Sequence, residues 1–157
     1  MKYKYWILVM LIYMVPQGLA KNVTVLSWDL METLDYKSGK APDTLKKLDT
    51  QMVEVSGFIV PLEGEYLDKI KEFFLVPNPL ACVHVPPPPP NQMIYVTMTQ
   101  DIPLDMDLRG VAITGILTIL ESNTDDNFAS FELFGHSAKG TDIEFTDPID
   151  DILNATI

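Results

Sequence analysis

Two segments of this chain alternate apolar residues with a period of two, the spacing at which side chains leave the same face of a β-strand. In residues 52–60 the alternate positions hold Val53, Val55, Gly57 and Ile59. In residues 108–120 they hold Val111, Ile113, Gly115, Leu117 and Ile119. A glycine in the middle of each strand indicates a bend or a bulge, as a small barrel needs where a strand turns a corner.

Three further strands are predicted at residues 72–76, 93–99 and 128–134, with a helical turn at 66–70 before the first of them. Residues 23–28 could add a short strand, and residues 29–34 a helical turn. Five main strands and little helix predict a mainly β fold, namely a small five-stranded barrel similar to the oligonucleotide- and oligosaccharide-binding (OB) type. A β-sandwich is the alternative.

The first twenty residues have the layout of a cleavable secretory signal. Lys2 and Lys4 precede an apolar run at 5–14, and small residues occupy 18 and 20. The run is too short for a spanning helix, so we expect a periplasmic or secreted protein without an integral membrane span after cleavage. An uncleaved anchor is the alternative. The predicted organisation is a signal peptide (1–20), an N-terminal extension (21–50), a β-barrel domain (51–141) and an acidic C-terminal tail (142–157).

The charge balance excludes some partners. With 22 acidic and 11 basic residues, the chain carries a formal net charge of −11. Nucleic acids and anionic lipids are bound through lysine and arginine, so neither is an expected partner. Acidity favours metal cations or basic protein surfaces, although it could simply keep an exported domain soluble.

The only cysteine, Cys82, lies two residues before His84, one of two histidines. In an extended segment these two side chains leave the same face, and a thiolate with an imidazole suits zinc or copper. A tetrahedral site needs more ligands, and His136 is the candidate third ligand. Alternatively Cys82 is a buried apolar group with a merely structural His84, or it serves a thiol enzyme or redox sensor.

A run of five prolines follows the Cys-x-His pair. The five residues are Pro86, Pro87, Pro88, Pro89 and Pro90. They predict a polyproline II rod of about 15 Å, whose carbonyls could accept hydrogen bonds from the amides of Asn91 and Gln92. The rod would hold the Cys-x-His segment extended as a stiff spacer. Alternatively, its P-x-x-P spacing would dock into an aromatic groove on a partner.

Common catalytic motifs are missing from the sequence. It contains no G-x-S-x-G, H-E-x-x-H, phosphate-binding glycine loop or dinucleotide fingerprint. These absences favour a non-enzymatic protein, with a thiol-dependent enzyme as the minority alternative.

Three stretches resemble a known family: "SGFIVPLEG", "EFFLVPNPLACVHVPPPPPNQMIYV" and "VAITGILTILES". They are similar to a secreted bacterial family of unknown function with an FLVP–AC-x-H-x-PPPPPNQ signature. Its members are exported, often as lipoproteins, and tend to be encoded near MacB-like ABC transporter components, several under metal regulation. The resemblance carries over Cys82, His84, the five prolines, Asn91 and Gln92, but not His136. The chain lacks the lipid-anchor cysteine of the lipoprotein members.

Together these observations favour a non-enzymatic periplasmic accessory protein. It would bind or relay zinc or copper through its Cys-x-His loop, beside an ABC-type transporter or another envelope component. The alternative is a protein–protein interaction module of the cell envelope that uses the proline segment and binds no metal.

Overall fold

A computed structural model describes residues 22–62, 69–79, 88–103, 110–120 and 128–143. The two α-helices in these ranges are α1 (Trp28–Glu32) and α2 (Asp43–Lys46), and a 3₁₀ turn spans Pro90–Gln92. The strands are β1 (Thr24–Val25), β2 (Met52–Pro61), β3 (Lys69–Val76), β4 (Ile94–Pro103), β5 (Val111–Ile119) and β6 (Phe131–Gly140). None of the helices in the described ranges has the length and apolar character needed to cross a bilayer.

The sheet closes on itself through β2. Its order is β1-β2-β3-β4-β6-β5, and β2 also pairs with β5. Strands β4 and β6 run parallel, β1 runs parallel to β2, and the other neighbours are antiparallel. The result is a closed five-stranded barrel with β1 as an added edge strand, which confirms the predicted barrel over the sandwich.

Strand β2 closes the barrel by changing partners at Gly57. Residues 52–57 pair with β5, and residues 58–61 pair with β3. A Cβ at Gly57 would lie 2.7 Å from the carbonyl oxygen of Val76 and 2.9 Å from Leu75 Cγ. Only glycine allows the two strands to come this close, so the residue belongs to the corner that the sequence predicts there. A register irregularity between Thr114 and Gly115 marks the second predicted distortion.

Several strand boundaries differ from the sequence prediction. Strand β3 begins at Lys69, so residues 69 and 70 are extended and not helical as predicted; residues 66–68 lie outside the described ranges. Strand β6 begins at Phe131 and runs six residues beyond the predicted end at 134. These additional residues are mostly exposed, and pairing with residues 111–114 of β5 keeps them extended. Because these residues are mostly exposed, the sequence has no apolar alternation to mark this part of the strand.

The barrel core extends into the N-terminal segment. Five residues from this segment belong to the same buried cluster as the barrel strands: Leu26, Met31, Leu34, Ala41 and Leu45. Helix α1 starts where Ser27 Oγ accepts a hydrogen bond from the backbone N–H of Leu30, and Trp28 Nε1 donates to the carbonyl of Ser56 at 2.7 Å. Helices of four and five residues are not stable alone, so packing against the barrel maintains them.

Candidate functional site

The predicted site residues divide between described and undescribed parts of the chain. Cys82, His84, Pro86 and Pro87 lie outside the described residues. The Cys-x-His pair therefore stays a prediction. The structure places the three later prolines, Asn91, Gln92 and His136.

The proline run leaves extended geometry at its last member. Pro89 is exposed and has φ −63° and ψ 155°, close to polyproline II, whereas Pro90 opens the 3₁₀ turn. The prediction of an extended rod through Pro90 is therefore wrong at that residue. Proline suits the first position of a helical turn because that position needs no N–H donor and φ is already near −65°. The carbonyl of Pro90 accepts from the backbone N–H of Ser130 at 2.8 Å, which ties the turn to the start of β6.

Asn91 and Gln92 attach this turn to the N-terminal segment. Asn91 Nδ2 donates to the carbonyls of Glu32 (3.0 Å) and Leu34 (2.9 Å), and Gln92 Nε2 donates to the carbonyl of Trp28 (3.4 Å). Sequence reasoning assigned these amides to the proline carbonyls. Among the described residues, the backbone N–H of Gln92 acts in that way, donating to the carbonyl of Pro89 at 2.8 Å. The side chains instead satisfy carbonyls in and just after α1, where a helix leaves acceptors without internal partners.

Among the described residues of the signature, Asn91 makes the most side-chain hydrogen bonds. Its side chain is only 6% exposed, and its two donated bonds fix which end of the amide faces α1. Within the described residues, Asn91 Oδ1 is a buried acceptor without a hydrogen-bond partner. A buried acceptor without a partner costs free energy, so the two bonds made by Nδ2 must outweigh that cost.

His136 lies on the outer surface of β6. Its ring meets Phe134 edge-on, with centroids 5.4 Å apart and planes at 88°. Phe131 pairs with Ile94, the first residue of β4, which follows the proline turn. His136 comes five residues later, or about 17 Å further along the strand. The described residues thus do not place His136 beside the end of the proline run, and its role as third ligand stays a prediction. In the same residues, no three or more histidine, cysteine or acidic side chains form a metal-holding group.

A shallow depression of about 150 Å³ opens on the outside of β4, β5 and β6. Its lining residues are Tyr95, Thr97, Thr118, Glu132, Leu133 and Phe134. Beside it, Tyr95 donates its hydroxyl to Glu72 Oε2 at 2.9 Å and meets the ring of Phe74 at a centroid distance of 5.7 Å. The hydrogen bond to Glu72 raises the pKa of Tyr95, and desolvation raises it further.

Sequence reasoning missed the residues of this depression. Phe74 and Tyr95 belong to the strands predicted at 72–76 and 93–99, and the structure leaves both rings half-buried. The sequence could not show that Glu132 and Phe134 lie beside them.

Comparisons with known proteins identify a family and a fold. A family model described as "Protein of unknown function (DUF3299)" matches residues 20–139. The chain is also similar to the crystal structure of a DUF3299 family protein from Pseudomonas aeruginosa PAO1, with a TM-score of 0.59 and 24% identity. That alignment covers 79% of this chain and 99% of the other chain, and at this identity it shows the fold alone. No curated protein matches the chain.

Proposed function

Since this chain belongs to the DUF3299 family, whose description states no function, we propose that it is a non-enzymatic accessory protein of the bacterial cell envelope. It binds or relays a transition metal through Cys82 and His84. Zinc or copper is the cargo, because a thiolate and an imidazole together are soft and borderline ligands that suit these ions.

The observation that supports this proposal most is the anchoring of the chain on both sides of the Cys-x-His segment. Before it, Val76 is buried and paired with Phe58 across β2 and β3. After it, Asn91 is fixed to α1 by two hydrogen bonds. A segment tethered at both ends and stiffened by prolines has less conformational entropy to lose when it binds a ligand.

Two sequence features support a setting in the cell envelope. Residues 1–20 would direct export, and the resemblance to exported proteins encoded near MacB-like transporters suggests work beside an ABC-type transporter. The net charge of −11 suits a protein that handles cations.

Metal binding by the purified protein tests the proposal. Wild type is expected to bind about one Zn²⁺ or Cu⁺ per chain in a competition titration against a chromophoric chelator, and Cys82→Ser is expected to lose this binding. His84→Ala should weaken binding in the same titration. His136→Ala tests the third ligand separately: weaker binding includes His136 in the site, and unchanged binding excludes it. Wild-type affinity in Cys82→Ser would refute the proposed site.

A second candidate function is an interaction module that docks its proline segment onto an envelope protein or a transporter component. The exposed, extended Pro89 favours it, because aromatic grooves bind prolines presented in that conformation. Replacing residues 87–89 by alanine should then abolish capture of the partner. Purified wild-type protein should contain no bound metal. Capture of the same partner by that variant would contradict this function.

A further inference from the structure

The outer surface of β3, β4 and β6 combines aromatic rings with carboxylates. We define the aromatic–acidic face as Glu72, Phe74, Tyr95, Glu132 and Phe134. Phe74 pairs with Tyr95 across β3 and β4, and Tyr95 pairs with Glu132 across β4 and β6. Paired residues of neighbouring strands project from the same side of a sheet, so these side chains share one surface. None of its residues is a predicted metal ligand, although the ring of Phe134 contacts that of His136.

The carboxylates of this face make a local region of negative potential. The hydrogen bond from Tyr95 to Glu72 is the largest cause of the raised pKa of Tyr95, and the charges of Glu72 and Glu132 both contribute. The two carboxylates therefore both act on the Tyr95 hydroxyl. Among the described residues, no lysine or arginine forms an ion pair with either acid. The cation nearest in sequence is Lys71, at the register irregularity of β3 beside Glu72.

The apolar part of the face is open to solvent. Phe134 is 50% exposed, although phenylalanine is among the residue types most often buried. Its ring and that of Tyr95 contribute to the walls of the 150 Å³ depression, and Glu132 lies on the same lining. The position paired with Glu132 on the far side is Thr118, whose hydroxyl adds a hydrogen-bonding group.

Aromatic rings beside carboxylates that have no cationic partner among the described residues fit one kind of side chain best. The aliphatic stem of arginine or lysine packs on aromatic surface, its cation interacts with a ring face, and its donors bind carboxylates. Nucleic acid and anionic lipid do not match this charge. A second copy of the chain would bring further net negative charge to the same place.

We propose that the aromatic–acidic face binds an arginine- or lysine-bearing segment of a partner protein. The cationic side chain enters the depression between Tyr95 and Phe134, and its charge is directed to Glu132. Neighbouring basic residues of the segment interact with Glu72, so affinity and specificity depend on charge together with aromatic contact.

Titration of the ¹⁵N-labelled protein with synthetic peptides tests this proposal. The probe is a six-residue peptide of alternating alanine and arginine, and its matched control has the neutral isostere citrulline in place of arginine. The arginine peptide is expected to shift amide resonances of β4 and β6 with a dissociation constant of about 1 mM or tighter. The citrulline peptide should bind at least about fivefold more weakly, and 0.5 M salt should weaken the arginine complex.

Two variants locate the site, and a third is their control. Glu132→Gln and Phe134→Ala should each weaken binding about three- to tenfold, since a charge contact or a cation–π contact is lost. Glu54→Gln makes the same chemical change at an acid that already pairs with Lys139, and it should leave the affinity unchanged. The spectrum of each variant shows whether the fold is retained.

Several results would overturn the proposal. These are no shifts with the arginine peptide at millimolar concentration, equal binding of the citrulline peptide, or equal loss in Glu54→Gln and Glu132→Gln. Shifts of the same amides by a neutral oligosaccharide, with none by the arginine peptide, would assign the face to a sugar. Concentration-dependent shifts without any peptide would assign it to a second copy.

Discussion

Asn91 shows how one residue of the signature holds distant parts of the chain together. Its amide nitrogen bonds to carbonyls 57 and 59 residues upstream, while its backbone belongs to the turn that leads from the prolines into β4. Neither contact is local in sequence. An asparagine fits because it supplies two N–H donors on a short stem, which serves two neighbouring carbonyls.

Replacing this residue should therefore destabilise the whole barrel. Asn91→Ala removes both donors and leaves two carbonyls near α1 without partners, at an expected cost of about 2–4 kcal/mol in unfolding free energy. Urea unfolding followed by circular dichroism measures the loss. Gln92→Ala is the matched control, since it removes one long hydrogen bond of 3.4 Å from a half-buried side chain. The control should cost less than about 1 kcal/mol.

Equal destabilisation by the two substitutions would contradict the anchoring role of Asn91. If Asn91→Ala stays folded at low temperature, its affinity for the metal can also be measured. An affinity equal to that of wild type would show that anchoring by Asn91 is not needed for metal binding at the proposed Cys82–His84 site.

Among the elements, the sequence predicts most clearly the strands that bury one face and expose the other. Strands β2 and β5 alternate because their inward side chains fill the barrel, and their predicted faces are correct. The N-terminal segment carries no such period, although Leu26, Met31 and Leu45 are buried in the same cluster. The helical turn predicted at 29–34 overlaps α1, whereas no local pattern predicts α2, a four-residue helix that buries a single side chain.

Leu45 tests whether this segment folds as part of the barrel. Its side chain is 0% exposed, in a helix of only four residues. Leu45→Ala should lower the unfolding free energy by about 2–4 kcal/mol, because a cavity replaces packed side chain. Val25→Ala is the control in the same segment: Val25 is 76% exposed, so its loss should stay within about 0.5 kcal/mol. A negligible loss in Leu45→Ala during chemical unfolding would show that the segment packs independently of the barrel.

The candidate sites also differ in whether their residues are close together in the sequence. The Cys82–His84 pair is visible in the sequence because the two residues are two positions apart. The aromatic–acidic face joins Tyr95 to Glu132 through the parallel pairing of β4 with β6. That register depends on how the barrel closes, and a shift of one residue would turn Glu132 and Phe134 inward. The face could be found only after the topology was known.

For the whole molecule, the free energy of unfolding depends on pH through Asp35 at acid pH and through Tyr95 at alkaline pH. Asp35 accepts hydrogen bonds from the hydroxyl of Ser38 and from the backbone N–H groups of Lys37 and Ser38, and these lower its pKa below the usual 3.8. The raised pKa of Tyr95 acts at the other end, above the usual 10.0. Tyr95 reports on folding because the native sheet brings Glu72 to it from 23 residues away, and Asp35 reports on the local turn that holds Ser38 beside it.

The two pKa shifts predict that the free energy of unfolding falls at both the acid end and the alkaline end of the pH range. The unfolded chain binds a proton at Asp35 more readily than the folded one, so this contribution is present above about pH 4 and disappears as the pH falls further. At Tyr95 the folded chain holds the proton more tightly, so that contribution is complete below pH 10 and is lost as the pH rises through the folded-state pKa. Guanidinium unfolding at a series of pH values should show Asp35→Asn flattening only the acid limb and Tyr95→Phe only the alkaline limb. If Tyr95→Phe keeps the full alkaline loss, Glu72 and Glu132 do not act together on that phenol, and the electrostatic support for a cation-binding face is removed.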